Sequence, residues 1–183
     1  MRARIELELA DREVYGKNKM RQELDEYLCK VYPKMMVNRN KDMKETCMCW
    51  GFEVGDGWYK LIYELILNVR FNDEAKGKWI TKVTQCKEKF GGLRFYVTGT
   101  SDKNWDLIRE AEKKSYGVCE VTGSEVEVGV WNAGWVRTIC KKEALSKFAK
   151  MSDANELNGK TFDELWKPRE ASVTIETPKK KRK

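Results

Sequence analysis

Nineteen residues, Trp79 to Val97, constrain this chain more than any other stretch. Two runs rich in β-branched and aromatic residues flank the pair Gly91-Gly92. Adjacent glycines reach positive φ at little steric cost, as a tight primed turn requires. The pattern predicts a β-hairpin with its turn at Gly91-Gly92. On the second arm Leu93, Phe95 and Val97 alternate with Arg94 and Tyr96, so the two sets fall on opposite faces. The first arm carries Lys82, Lys87 and Lys89. One face can therefore pack on helices and leave a basic, aromatic face outward. That outer face reads either as an ordinary solvated surface or as a docking ribbon for nucleic acid or protein. Lys82, Lys87, Lys89, Arg94 and Tyr96 are the candidate contact residues.

Around the hairpin the sequence predicts an α+β chain, with antiparallel hairpins packed against four to five helices. Residues 1–46 form an N-terminal helical segment, in which Met20, Leu24, Tyr27, Leu28 and Val31 recur at helical spacing until Pro33. Residues 1–17 fit a strand or a helix equally. Residues 34–46 are basic and irregular, a loop or a mobile insert. Residues 47–151 are the α+β core. In it Gly55-Asp56-Gly57 makes a turn, Asp56 is positioned to cap the next helix, and Trp58, Leu61, Ile62, Leu65 and Val69 form its buried stripe. A second helix begins at Ser101 or Asp102, carries Trp105, Ile108 and Ala111, and stops at Gly117. Val126, Val128 and Val130 read as one strand and Trp135 to Cys140 as its return, followed by a helix with Ala144, Leu145, Phe148 and Met151 inward. Residues 152–168 hold a short helix opened by the capping box Thr161-x-x-Glu164 and closed by Pro168. Residues 169–183 form a basic, disordered tail.

Charge and residue types exclude several functions. The chain has 183 residues and a net charge of +7. Lys179, Lys180, Lys181, Arg182 and Lys183 supply five of those charges, so 31 basic residues face 29 acidic ones elsewhere. Overall charge therefore does not imply DNA binding; a local patch must carry it. There is no histidine. That removes Ser-His-Asp and Cys-His catalysis and imidazole bases, and the chain is expected not to be an enzyme. Glu53 with Asp56 is the one carboxylate pair that could suggest a metal-dependent nuclease, and a cap plus an exposed acid explains it better. No apolar run approaches the roughly 20 residues of a spanning helix, and the first residues lack an apolar signal core. An intracellular location with six reduced cysteines is expected.

Cys119-x₂-Thr122-Gly123 and Cys140-x₂-Glu143 have the spacing of two zinc-ribbon knuckles, each with one thiol in place of two. Cys119 and Cys140 are candidate zinc ligands. The alternative is a degenerate ribbon held by Val121, Trp131, Trp135 and Ile139 without metal or any other cofactor. Cys47-x-Cys49 is a second, weaker metal candidate.

Gly51 to Trp58, Lys87 to Tyr96, Cys119-x₂-Thr122-Gly123 and Gly134-Trp135-x₂-Thr138-x-Cys140 together resemble a group of small bacteriophage and prophage proteins. In that group a Lys-Phe-Gly-Gly-Leu-Arg-Phe-Tyr hairpin precedes a helix and a Cys-x₂-Cys-Gly ribbon. The resemblance spans roughly residues 47–145 and implies a phage accessory protein of no stated reaction. The tail, Pro178-Lys-Lys-Lys-Arg-Lys, resembles the nuclear-import signal of a viral large T antigen without its final Val. Length, motifs and tail are compatible with a phage anti-CRISPR acting on type II-A Cas9. Guide-loaded Cas9 is then the expected partner, with double-stranded DNA a second one, in the bacterial host cytoplasm or, through the tail, in an animal-cell nucleus. The other reading is a phage nucleic-acid-binding regulator with a degenerate zinc ribbon.

Overall fold

The computed structural model describes residues 19–77 and 81–169. The expectations for residues 1–17, for Trp79 and Ile80, and for the tail beyond Arg169 lie outside the described residues; Arg169 itself, expected in the disordered tail, donates its N–H to the Val128 carbonyl. Those described form an α+β chain of five helices and two three-stranded sheets.

The first sheet has the order β1-β2-β3: β1 (Phe52–Glu53) lies parallel to β2 (Lys82–Lys89), which pairs antiparallel with β3 (Gly92–Thr98). Phe52, Val83, Cys86, Leu93, Phe95 and Val97 are buried on its inner face. There they meet α1 (Gln22–Val31), α2 (Tyr59–Ala75) and α3 (Asp102–Lys114) in the larger core. The stripe Trp58, Leu61, Ile62, Leu65 and Val69 is wholly buried, as its 3.6-residue period requires. The Ser101 hydroxyl caps α3 by accepting from the Asn104 N–H.

The second sheet has the order β5-β4-β6, built from β4 (Val128–Asn132), β5 (Val136–Cys140) and β6 (Trp166–Pro168), all antiparallel neighbours. It packs on α4 (Lys141–Asp153) and α5 (Phe162–Leu165) around a smaller core of Trp131, Ile139, Ala144, Leu165 and Trp166. The two cores meet where Gly55 and Gly57 press on the turn after Cys119. A Cβ at Gly57 would stand 2.2 Å from the Cys119 carbonyl oxygen, so only glycine permits this approach. The Trp58 indole donates across the junction to the Val118 carbonyl (2.8 Å).

Several expectations are corrected. Of the two readings of residues 34–46, the loop is the one seen: Met35 and Met36 are buried, the Val83 N–H donates to the Met35 carbonyl and the Asn38 amide to the Val83 carbonyl. Asp56 does not cap α2. Its carboxylate accepts from the Arg21 N–H (2.7 Å) and Nε (2.5 Å) and ties down the start of α1. Tyr27 and Leu145 are exposed, and so is Val126, which precedes the strand instead of joining it. Gly117 closes a 3-10 turn without positive φ. The capping box at Thr161 forms, but α5 lasts one turn. Trp166 then turns extended and Pro168 becomes the end of an edge strand facing Gly129, where a missing N–H costs least.

Candidate nucleic-acid interface

The hairpin turn sits one residue earlier than the glycine pair suggests. Lys89 pairs with Gly92, so Phe90 and Gly91 are the two central residues, with φ of 55° and 72°. Both lie in the left-handed region, as a type I′ turn demands. Gly92 serves another need. Its hydrogen points outward into the Tyr116 ring, and a Cβ there would stand 2.4 Å from Tyr116 Cζ. Phe90 is a bulky residue held in a conformation that favours glycine, and it is 71% exposed. Packing does not account for it, which marks the tip as a candidate contact.

The register settles which residues share the outer face. Lys82 faces Thr98, Gln85 faces Tyr96, Lys87 faces Arg94 and Lys89 faces Gly92, with a bulge between Val83 and Gln85. The structure therefore brings Lys82, Lys87, Lys89, Arg94 and Tyr96 onto one face; strict alternation would set Lys82 opposite Lys87 and Lys89, and the bulge restores it to their side. Glu53 joins them from β1 beside Lys87 and accepts from the Gln85 amide at 3.2 Å. The Lys87 ammonium lies 5.8 Å from the Tyr96 ring centroid and that of Lys89 5.4 Å from Phe90. Among the described residues no carboxylate lies within ion-pair distance of these lysines or of Arg94. Lys87 and Arg94 are like charges directly opposite across two strands, an arrangement that costs stability.

Arg94 is not a loose cation. It is half-buried, with Nη1 donating to the Leu93 carbonyl (2.6 Å) and Nη2 to the Tyr116 hydroxyl (3.0 Å). Tyr116 and Arg169 belong to this region too, and no local pattern announces either. The Arg169 guanidinium lies 4.3 Å from the Tyr116 ring centroid and donates from Nη2 to the Thr138 hydroxyl (3.2 Å). Its Nε is buried without a hydrogen-bond partner among the described residues. Burial holds this guanidinium below the usual arginine value, with Tyr116 alone pulling it back.

Hydrogen bonds tie the platform down at its edge and at its tip. On the far edge of β3 the Leu93 and Phe95 N–H groups donate to the Ser115 hydroxyl and the Glu112 carboxylate of the α3 end, which closes that edge to further pairing. At the tip, buried Glu88 accepts from the Gly91 N–H (2.5 Å) and from the Trp135 indole (2.7 Å), and the Thr138 hydroxyl donates to the Gly91 carbonyl. Trp135 is thereby held at the hairpin tip, 64% exposed, and does not pack in the ribbon core as expected. Beside Tyr96 the loop residues Met43, Lys44, Glu45, Thr46 and Cys47 line an open cavity of about 350 Å³ together with Thr84, Gln85 and Tyr96, so a carboxylate, Glu45, borders this face.

Cys119 and Cys140 are both buried, and the Cys140 sulfur's recorded partner is the Thr122 hydroxyl at 3.9 Å. Among the described residues no three Cys, Asp or Glu side chains converge as a metal would need, at these thiols or at Cys47 and Cys49. The residues present do not fit a zinc ion. The hairpin β4-β5 is held instead by Trp131, Ile139 and the backbone, with the Glu120 N–H donating to the Thr138 carbonyl. Glu53 and Asp56 are each committed elsewhere, to Gln85 and to Arg21. Comparison with family models, with curated proteins and with solved structures finds no match.

Proposed function

We propose that this chain is a non-enzymatic, phage-encoded inhibitor of guide-loaded Cas9 that docks through the outer face of the β2-β3 hairpin. The observation that carries the reading is the set of cations on that face, which have no ion pair among the described residues and of which Lys87 stands beside half-buried Tyr96 and Lys89 beside exposed Phe90. A fold gains nothing from placing Lys87 against Arg94; a polyanionic partner does. The resemblance of the hairpin and knuckle motifs to phage proteins, with the chain length and the tail, is compatible with Cas9 as the target. Cas9 holds its heteroduplex in a positive channel. A basic face is repelled by that channel, so its complement is the nucleic acid of the complex, and joint contact with Cas9 and DNA fits this face better than DNA mimicry does.

The test is target cleavage by guide-loaded Cas9, using the full chain with Lys179, Lys180, Lys181, Arg182 and Lys183 changed to Ser. This protein is expected to stop cleavage at near-stoichiometric concentration. Changing Lys82, Lys87 and Lys89 together to Ala is expected to raise the concentration for half-inhibition by about tenfold or more, because each lysine neutralises one phosphate. The thermal midpoint should hold or rise, since the Lys87–Arg94 repulsion is relieved. Arg94 is left in place, because its hydrogen bonds to Tyr116 and Leu93 make its removal a packing defect. Undiminished inhibition by the triple variant would sink the proposal. So would uninhibited cleavage in the presence of the parent protein.

A further inference from the structure

We infer that Phe90 and Trp135 form a two-ring knob that seats in an apolar cleft, with an acidic rim, on the protein component of the nuclease complex. This rests on the reading of guide-loaded Cas9 as the target and assigns the protein half of the joint contact, leaving the hairpin lysines to the nucleic acid.

Three observations carry it. The first is placement. Phe90 and Trp135 are the two most exposed aromatic side chains among the described residues. They come from different sheets, Phe90 from the β2-β3 turn and Trp135 from the turn between β4 and β5. The two turns lie side by side, since a Cβ at Gly91 would stand 3.3 Å from Val136 Cγ1. Rings brought to one place from two sheets make a convex apolar patch that neither hairpin makes alone.

The second is how the rings are held. Buried Glu88 accepts from the Gly91 N–H through one oxygen and from the Trp135 indole through the other. One carboxylate thus fixes the backbone beside Phe90 and the position of Trp135. Phe90 occupies the first central position of a type I′ turn, where Asn or Gly is the unstrained choice. The fold accepts that strain and still leaves the ring in water. A large ring on a fixed turn loses little freedom on docking, which is what an interface anchor requires.

The third is polarity, which selects the partner. The knob carries one cation at its edge, Lys89, with its ammonium 5.4 Å from the Phe90 centroid and no ion pair among the described residues. An acidic rim around the cleft complements it. A nucleic acid asks for a row of cations, and that row runs down β2 away from the tip. A bilayer anchor turns its indole N–H toward the headgroups, whereas Glu88 takes this one. A second copy of the chain offers no apolar seat in its open cavities, which Lys44 and Glu45 line in one case and Lys60, Glu64 and Lys114 in the other.

The test is biolayer interferometry on immobilised guide-loaded Cas9 with target DNA, at two salt concentrations. The protein is again the full chain with its five tail cations changed to Ser. Phe90→Asn should weaken binding by about tenfold or more at both salts, because apolar contact is not screened. Its thermal midpoint should hold or rise, since Asn relieves the turn. Phe90→Tyr, which keeps the ring, should bind like the parent. The loss caused by changing Lys82, Lys87 and Lys89 to Ala should shrink as salt rises, which separates the two halves of the contact. Parent-like affinity in Phe90→Asn, or a loss that vanishes at the higher salt, overturns the inference and leaves the inhibitor reading standing. Parent binding to phosphatidylserine vesicles, or parent self-association, that Phe90→Asn abolishes would give the knob to a lipid surface or a second copy and overturns it as well. Binding through Phe90 without loss of cleavage supports the inference and removes the inhibitor. A parent that does not bind the complex overturns both.

Discussion

Glu120→Ala is expected to lower the stability of the chain by about 3–5 kcal/mol, the cost of leaving a buried charge without its partner. For a chain of this length that is a fall of roughly 6–20 °C in thermal midpoint. Glu120 is fully buried between the two cores. Its Oε1 accepts from the Gly55 N–H (3.1 Å) and its Oε2 from Arg137 Nε (3.2 Å), and the Arg137 side chain is itself 9% exposed. Its carbonyl takes the Gly57 N–H at 2.9 Å. The side chain thus closes the junction on which the hairpin tip and β5 depend. Replacing both partners, Glu120→Met with Arg137→Met, should cost less than Glu120→Ala alone, since no orphaned charge remains. A double variant that unfolds more readily than the single one contradicts this account. Burial pushes the Glu120 carboxyl above the usual value, against the pull of Arg137 and the Gly55 N–H. The folded state therefore keeps this proton longer than the unfolded chain. Its contribution is fully present below the ordinary carboxylate range and is lost as pH rises through the folded value. Urea titrations of the parent and Glu120→Gln across that range should differ in slope by this one group.

Asp25→Ala is expected to cost about 2–4 kcal/mol, less than at Glu120 because its partner Arg39 is partly solvated. Asp25 is a buried acid on the inner face of α1. One oxygen accepts from Arg39 Nε (3.0 Å) and the Cys29 thiol (3.4 Å); the other accepts from Arg39 Nη2 and the Phe52 N–H, both at 3.3 Å. Arg39 continues to the Cys49 carbonyl (2.8 Å), so one carboxylate joins α1, the 34–46 loop and β1. Gly51 is part of the same design: with φ of 77°, a Cβ there would stand 2.0 Å from Asp25 Oδ2. A second readout separates this from a general loss of packing. Burial first, and Asp25 second, push the Cys29 thiol up to about 12. Removing the carboxylate should speed alkylation of Cys29 at pH 8 in the folded protein. An unchanged denaturation midpoint together with an unchanged alkylation rate would contradict the role given to Asp25.

Local periodicity made much of the fold legible in the sequence. The α2 stripe, the alternation of Leu93, Phe95 and Val97 against Arg94 and Tyr96, and the Thr161 capping box each declare themselves within a few residues. Long-range contacts were not legible. Gly91-Gly92 looked like the turn, but only Gly91 is required for φ; Gly92 is required by a tyrosine 24 positions later. Trp135 looked like core because it is large and apolar, yet the Glu88 carboxylate, 47 positions earlier, holds its indole at the surface. The brief strand at Trp166 depends on the open edge of β4, which no pattern around Pro168 announces. At the candidate site, alternation placed Arg94 with Tyr96 and Lys87 with Lys89, but Lys82 joins them only through the bulge between Val83 and Gln85. Tyr116 and Arg169 could not be placed by alternation, since each reaches the face from a separate element. The half-knuckles left a metal site and a metal-free ribbon both open for a related reason. Thiol spacing suggests a metal, whereas buried Cys119 and Cys140 here sit among apolar side chains and a hydroxyl.

Lysine acetylation footprinting of the tail-neutralised chain, alone and with guide-loaded Cas9 on target DNA, tests most directly whether the hairpin's outer face is the docking surface. Lys82, Lys87 and Lys89 should each lose reactivity in the complex, while Lys142 and Lys150, exposed on α4, keep theirs. Protection of Lys142 and Lys150 with the hairpin lysines still reactive would place the interface on the second sheet's helix and contradict the account.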